Sequence, residues 1–325
     1  MPTTTDIQPV LRVGSRDSKL ALVQTEHVID LIKASHAGVT TELETMKTIG
    51  DKILDVAMNK IGDKGLFTKE LELALDAKAI DVVVHSLKDM PTALPENMQL
   101  VAITEREDPR DALIMSQKNR GKVLKDLAPG SVIGTGSVRR VAQLRRLYPH
   151  LEFKDVRGNL NTRLAKLDAE DSPYEALILA VAGIKRLGFS DRISQPLDEL
   201  LHAVGQGALG IEIRADDTQT LEYVKCLNHR PTRLACLAER ELMRALEGGC
   251  SVPIGVRTTW SQDRLLLKAI VASPDGKKAV EAEQTASVLG GSDEEEDARA
   301  VKLGRELSVA MREKGAGEIL DAIEH

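Results

Sequence analysis

Five times in this chain an apolar run ends in a short polar turn that carries arginine or lysine. Residues 10–13 lead to Arg16, 80–84 to Lys88, and 132–134 to Arg139 and Arg140. Residues 151–156 lead to Arg157, and 176–182 to Lys185 and Arg186. Helical patterns lie between these runs, and strands alternating with helices indicate a parallel sheet. There, all five turns fall at the carboxyl ends of the strands, the edge where open α/β folds bind ligands. The formal net charge is -6. Basic groups gathered at that edge would form a cationic cleft in an acidic chain, suited to a small polyanion bearing carboxylates or phosphates.

At 325 residues the chain is long enough for two or three domains. Aromatic residues are only 2%, so the core must rest on Leu, Val, Ile and Ala. The same scarcity leaves no stacking platforms for single-stranded nucleic acid, and the acidic balance points the same way. No stretch is apolar enough to span a membrane, and residues 1–9 lack a signal or transit pattern. A cytoplasmic protein with neither a nucleic-acid nor a membrane partner is expected. Three cysteines, Cys226, Cys236 and Cys250, without CxxC spacing read as reduced thiols, neither a disulfide framework nor a zinc site.

Periodicity predicts a helix over residues 18–33 with Leu20, Val23, Val28, Leu31 and Ile32 on one stripe. A strand follows at 41–47. Residues 50–65 are polar, with three glycines, and read as a mobile loop. A helix over 66–79 would face Phe67, Leu71, Ala74 and Leu75 inward. The charged stretch 105–110, with Pro109, marks a hinge between domains. A second unit occupies 111–201, and 203–214 is a glycine-punctuated segment whose last part is a strand that could cross back to the first unit. Beyond it the pattern is α+β. A helix over 232–247 is stopped by Gly248 and Gly249, and residues 265–272 and 278–288 form a hairpin around Pro274-Asp275-Gly276. Ser292 with Glu295 makes a capping box for a last helix.

Four motifs carry candidate chemistry. In His85-Ser86-Leu87-Lys88-Asp89-Met90-Pro91, Asp89 reads either as a general acid or cation stabiliser, or as half of a surface pair with Lys88. Gly134-Thr135-Gly136-Ser137-Val138-Arg139-Arg140 brings backbone N–H groups, a hydroxyl and two guanidinium groups to a helix start. That is an anion site, or else a solvated helix with ordinary arginines. It is no dinucleotide fingerprint, because Arg139 stands where the third glycine belongs. Arg157 and Arg163, six residues apart across another strand-to-helix turn, could touch one ligand or simply lie on the surface. Cys250 follows two glycines at a helix stop. It is either a buried small residue or an accessible thiol able to carry a covalently attached group.

Taken in order, VGSRDSKLALVQ, GDKGLFTKELE, HSLKDMPT, EREDPRDA, GTGSVRR, RGNLNTRLAKL, LILAVAGIKRLG, AVGQGALGIE and LEGGCSVPIG resemble the signatures of the porphobilinogen deaminase (hydroxymethylbilane synthase) family over nearly the whole chain. The resemblance implies an α/β fold of two periplasmic-binding-protein-like domains plus a small α+β C-terminal domain. The first would cover 1–106 and 203–222, the second 107–202 and the third 223–325. It implies head-to-tail condensation of four porphobilinogen molecules to hydroxymethylbilane with release of ammonia, on a dipyrromethane cofactor bound through Cys250. The implied partners are porphobilinogen and its oligomers, and the implied state is a monomer.

By the same motif match, Lys88, Ser137, Arg139, Arg140, Arg157 and Arg163 should hold cofactor and chain carboxylates. Arg16, Ser18 and Arg186 should meet incoming substrate, with Arg157 and Arg163 shared. Asp89 should stabilise the cation left when ammonia departs, and Lys60, Lys64 and Phe67 should belong to a lid. Gly136 departs from the serine of many family members. A non-catalytic binding protein for a small dicarboxylate remains the alternative that a cationic cleft alone would allow.

Overall fold

The computed structural model describes residues 10–52, 67–246 and 252–324. The first lobe opens with β1 (Val10–Arg16), α1 (Lys19–Ser35) and β2 (Thr40–Met46). A helical turn α2 (Ile49–Lys52), helix α3 (Lys69–Asp76), β3 (Val82–Ser86) and β4 (Met98–Ile103) complete its first passage. The chain then crosses to a second lobe made of β5 (Asp111–Met115), β6 (Val132–Gly134), α4 (Val138–Leu147) and β7 (Glu152–Lys154). Helix α5 (Leu160–Asp168), β8 (Ala176–Ala180), α6 (Val181–Arg186) and β9 (Gln195–Leu197) follow. It returns to the first lobe as β10 (Leu209–Arg214).

The strand orders are β2-β1-β3-β10-β4 and β7-β6-β8-β5-β9. The two sheets therefore share one plan, although the sequence shows no repeat. In the first, β1 runs parallel to β2 and β3; in the second, β6 runs parallel to β7 and β8. The wholly parallel expectation fails at one strand per sheet: β10 is antiparallel to β3 and β4, and β5 to β8 and β9. Each of these strands enters its sheet from the opposite lobe, so its direction is set by the crossing and not by a local strand-helix-strand turn.

Helix α1 starts where the Ser18 hydroxyl accepts the Ala21 N–H at 3.4 Å. Its inner face is Ala21, Gln24, Thr25, Val28, Ile29 and Ile32. Val28 and Ile32 are fully buried, each stabilising the lobe by roughly 1.5–3 kcal/mol. Leu31, assigned to this stripe from sequence, is instead exposed, because it lies about 100° around the helix from Ile32. Helix α3 is shorter than predicted. Leu71 and Leu75 are buried in it, but Phe67 precedes it and stands at the cleft.

After α7 (Thr218–Val224), helix α8 (Arg230–Ala245) begins with Pro231 inside its first turn. It packs on an antiparallel sheet of β11 (Ile254–Ser261), β12 (Arg264–Ala272) and β13 (Ala279–Ser287). The β12–β13 hairpin is the predicted one; β11 was not anticipated. Helix α9 (Asp293–Glu313) carries the Ser292–Glu295 capping box, and α10 (Ala316–Glu324) closes the smaller domain. Gly248 and Gly249 lie outside the described residues, as does 53–66, most of the stretch read as a loop. Among the described residues no helix is long and apolar enough to cross a membrane.

The two crossings between lobes run side by side. The Thr104 N–H donates to Leu209 O at 3.1 Å, and the Glu107 N–H to Gly207 O at 3.2 Å. Gly207 has φ +93°, and a Cβ there would lie 2.2 Å from Glu107 O, so only glycine lets the strands touch. Arg106 fastens this ribbon to α8 through two bonds to Glu239, at 2.6 and 3.0 Å. Glu239 also accepts the Gly205 N–H at 2.9 Å. Burial alone would raise the Glu239 carboxyl, but Arg106 outweighs it and the group sits below its usual range.

Candidate functional site

One cavity of about 800 Å³ lies between the two lobes and reaches the smaller domain. It gathers the carboxyl ends of β1, β3, β6, β7 and β8, the five strands that end in basic turns. Arg16, Ser18, Phe67, Lys88, Asp89, Ser137, Arg139, Arg140, Arg157, Arg163 and Arg186 all line it. Lys185 does not; its ammonium turns to Glu107 on the hinge ribbon at 2.9 Å. Lys60, Lys64 and Cys250 lie outside the described residues. The described chain stops at Leu246 and resumes at Val252, and Met243 and Val252 both line the cavity.

From the first lobe, Arg16 places its guanidinium carbon 4.3 Å from the centre of the Phe67 ring, a cation–π contact. Lys88 and Asp89 sit on a 3-10 turn, Leu87–Asp89, that continues β3. That turn is held at both ends: the Leu87 N–H donates to Ala208 O at 3.0 Å, and the Met90 N–H to Leu87 O at 3.2 Å. Arg240 on α8 then donates to Met90 O at 3.3 Å and Pro91 O at 2.7 Å. The smaller domain thus clamps the loop that presents Asp89. Burial pulls the Lys88 ammonium below its usual pKa, opposed by Asp89 and reinforced by Arg140.

The second lobe supplies most of the guanidinium groups, in two different states. Arg139 and Arg140 are buried on Asp111, itself fully buried at the start of β5. Arg139 makes bonds of 2.7 and 3.2 Å to the Asp111 carboxylate and 2.6 Å to Leu201 O. Arg140 reaches Asp111 at 2.9 Å and Ile178 O at 2.9 Å. Burial would raise the Asp111 carboxyl, but the two guanidinium groups hold it far below the carboxylate range. Much of this pair's hydrogen-bonding capacity is therefore spent inside the lobe. The Ser137 hydroxyl accepts the Arg140 N–H at 3.5 Å and so caps α4.

Arg157, Arg163 and Arg186 are presented differently. Arg157 donates through Nε to Asp155 at 2.6 Å, and Arg163 through Nε to Gly158 O at 2.8 Å. Among the described residues no other hydrogen bond engages either guanidinium, and both residues line the cavity. Arg186 donates one bond, to Gly207 O at 2.8 Å. Burial lowers the pKa of Arg163 and of Arg186. Such groups gain most from an arriving anion.

Sequence reasoning missed Asp111, Asp155 and Gln206. Asp111 stood only as the first residue of the second unit, with no role assigned. Its contact to Arg139, 28 positions on, leaves no local signature. Gln206 donates to Pro109 O at 2.7 Å and to Asp111 at 2.9 Å, while its own Oε1 is a buried acceptor with no partner among the described residues. Asn161 Oδ1 is a second such acceptor, and both residues line the cavity. Of the described cysteines, Cys236 is buried with its thiol pushed up to about 12, and Cys226 is exposed. Neither lines the cavity.

Comparison with known proteins covers nearly all of this architecture. Residues 11–222 match the family model described as porphobilinogen deaminase, dipyromethane cofactor binding domain. Residues 233–313 match the one described as porphobilinogen deaminase, C-terminal domain. Porphobilinogen deaminase of Synechococcus sp. strain RCC307 is 55% identical over 315 residues, covering 96% of each chain. That of Nostoc sp. strain PCC 7120 is 54% identical, covering 96% of this chain and 94% of its own. Among solved structures, the methionine binding protein MetQ aligns over 67% of this chain and 89% of its own, at 13% identity and a TM-score of 0.43.

Proposed function

The chain belongs to the porphobilinogen deaminase family, and we propose that its cleft joins four porphobilinogen molecules head to tail into hydroxymethylbilane, releasing ammonia at each addition. One observation carries this reading: a single cavity gathers Arg157, Arg163 and Arg186, together with Arg16 and Lys88, around Asp89, while the other carboxylate of its described lining, Asp155, is bonded to Arg157. Each pyrrole unit brings an acetate and a propionate, so the bound chain gains two negative charges per addition. A described lining with more cations than carboxylates matches that load.

The cavity also suits a dipyrromethane cofactor. Its carboxylates find guanidinium groups, and Gln206 Oε1 and Asn161 Oδ1 are buried acceptors suited to pyrrole N–H donors. The cofactor, when bound, supplies a tethered primer for chain growth. Cys250 is its attachment point in this reading, supported by Met243 and Val252 in the cavity wall. Lys88, Arg157 and Arg163 hold carboxylates of the bound chain, and Arg139 and Arg140 add positive potential from below. Arg16, Ser18 and Arg186 receive porphobilinogen. Asp89, fixed by its clamped turn, stabilises the positive charge left on the substrate ring as ammonia leaves. Lys60, Lys64 and Phe67 are assigned to the lid in this reading, and the enzyme works as a cytoplasmic monomer.

Intact-mass analysis tests the assignment. The purified chain should carry an excess equal to one dipyrromethane, confined to the peptide that contains Cys250. An unmodified chain that turns over porphobilinogen at full rate overturns the tether, and an unmodified chain that binds small dicarboxylates without turnover overturns the enzyme.

A further inference from the structure

Gly136 and Asp155 are neighbours across the turn ends of β6 and β7, and both line the cavity. A Cβ built on Gly136 would lie 2.8 Å from Asp155 Oδ1, closer than such contacts occur. Its next neighbour would be Val156 O, at an ordinary 3.5 Å. Gly136 is not among the residues with left-handed φ, so its backbone does not itself demand glycine. What the missing side chain leaves is room for one carboxylate.

That carboxylate is held to a purpose. Asp155 accepts the Arg157 Nε–H at 2.6 Å through Oδ2, the oxygen on the other side from Gly136. Its backbone is pinned: Tyr174 Oη donates to Asp155 O at 2.7 Å, and the Thr135 N–H donates to Lys154 O at 3.0 Å. A bond at Nε fixes the plane of a guanidinium and leaves the two terminal nitrogens as a free fork, the edge that grips a carboxylate with two parallel bonds.

We propose that Asp155 is a positioning residue that aims Arg157 at a ligand carboxylate, and that Gly136 is required because the Asp155 carboxylate occupies the space of its side chain. This rests on the reading of the cleft as a site for carboxylate-bearing pyrroles. Asp155 does not touch substrate in this arrangement; it sets the angle at which Arg157 does. A larger residue at position 136 acts at a distance, by pushing the carboxylate off the Nε–H.

A double-mutant cycle tests the pairing. Gly136→Ala and Asp155→Ala should each raise KM for porphobilinogen about tenfold, the size expected for a charge-assisted hydrogen bond, with the effect in KM and not in kcat. The double variant should be no worse than Asp155→Ala alone, because the new methyl group then meets nothing closer than Val156 O. Asp155→Asn, which keeps an oxygen for the Nε–H, should recover part of the loss. Under limiting substrate, intact-mass spectra of the single variants should shift toward adducts with fewer pyrrole units, at unchanged melting temperature. Unchanged KM in Asp155→Ala overturns the proposal, and so do independent effects that multiply in the double variant. Should the parent chain carry no pyrrole adduct and no turnover, the reading of the cleft has failed. Succinate titrations of the same four proteins then decide the pairing by the same criterion.

Discussion

The two lobes are built on one strand plan, with an antiparallel strand next to the third position in each, yet their strand ends present different chemistry. The first lobe offers Arg16, Lys88 and the carboxylate of Asp89, on turns held by an aromatic ring and by the smaller domain. The second offers five guanidinium groups and braces four of them with its own chain: Asp111 under Arg139 and Arg140, Asp155 beside Arg157, Gly158 O behind Arg163. In the proposed reaction Asp89 meets a developing cation, and a carboxylate with that task cannot also be neutralised by a bonded arginine. Placing Asp89 in one lobe and the braced arginines in the other keeps the two tasks apart while the cavity brings them together.

The sharpest way to break this division is to remove the second lobe's brace. Asp111→Ala leaves two buried guanidinium groups without their counter-charge, and chemical denaturation should show a loss of about 3–5 kcal/mol. A loss under 1 kcal/mol would mean that Arg139 and Arg140 turn to the cavity and act as ligand groups like Arg157. Next in size is Asp89→Asn. A carboxylate about 4 Å from a cation is worth roughly 4 kcal/mol at an effective dielectric near 20, so turnover should fall about a thousandfold. Stability should hardly change, and intact mass should still show the cofactor in part of the protein. Near-normal turnover removes Asp89 from the chemistry.

The ribbon that joins the lobes gives a pH test. His202 is fully enclosed beside Arg106, and burial together with that charge brings its pKa down to about 4 from the ordinary 6.5. The unfolded chain therefore binds this proton first as the pH falls. Above about 6.5 the group has no effect on stability; between 6.5 and 4 it destabilises the native state by up to about 3 kcal/mol, and below 4 the loss stops growing. Urea midpoints for the parent and His202→Gln should converge at low pH relative to their separation at pH 7.5. Parallel curves would exclude the effect. The smallest change is expected at Phe67→Leu, which removes the ring under Arg16. A cation–π contact of about 0.5–1 kcal/mol corresponds to a two- to fivefold rise in KM for porphobilinogen.

Much of the first lobe was legible because its signals are local. The helix expected over 18–33 is α1 (Lys19–Ser35), and the run 80–84 leads into β3 (Val82–Ser86) with Lys88 and Asp89 on the turn after it. The gathering of the five basic turns could also be foreseen, since parallel strands place their carboxyl ends together. Local pattern could not show which way a strand runs after crossing between lobes, and the reversed β5 and β10 were missed for that reason. Nor could it separate arginines bonded to their own lobe from arginines turned to the cavity. Arg139 and Arg163 look alike in sequence; the difference lies in Asp111, 28 positions from Arg139, and in a carbonyl five positions from Arg163. Gly136 stood out only as a departure from the family, until the Asp155 carboxylate gave it a physical cause.

The paired crossings at Glu107 and Gly207 limit how the halves of the molecule can travel. Two short tapes lying flat against each other flex readily about the line across them but resist shear and torsion. Asp89 and Arg157 lie on opposite sides of the cavity that this ribbon spans, so any change in their separation must pass through these few backbone bonds.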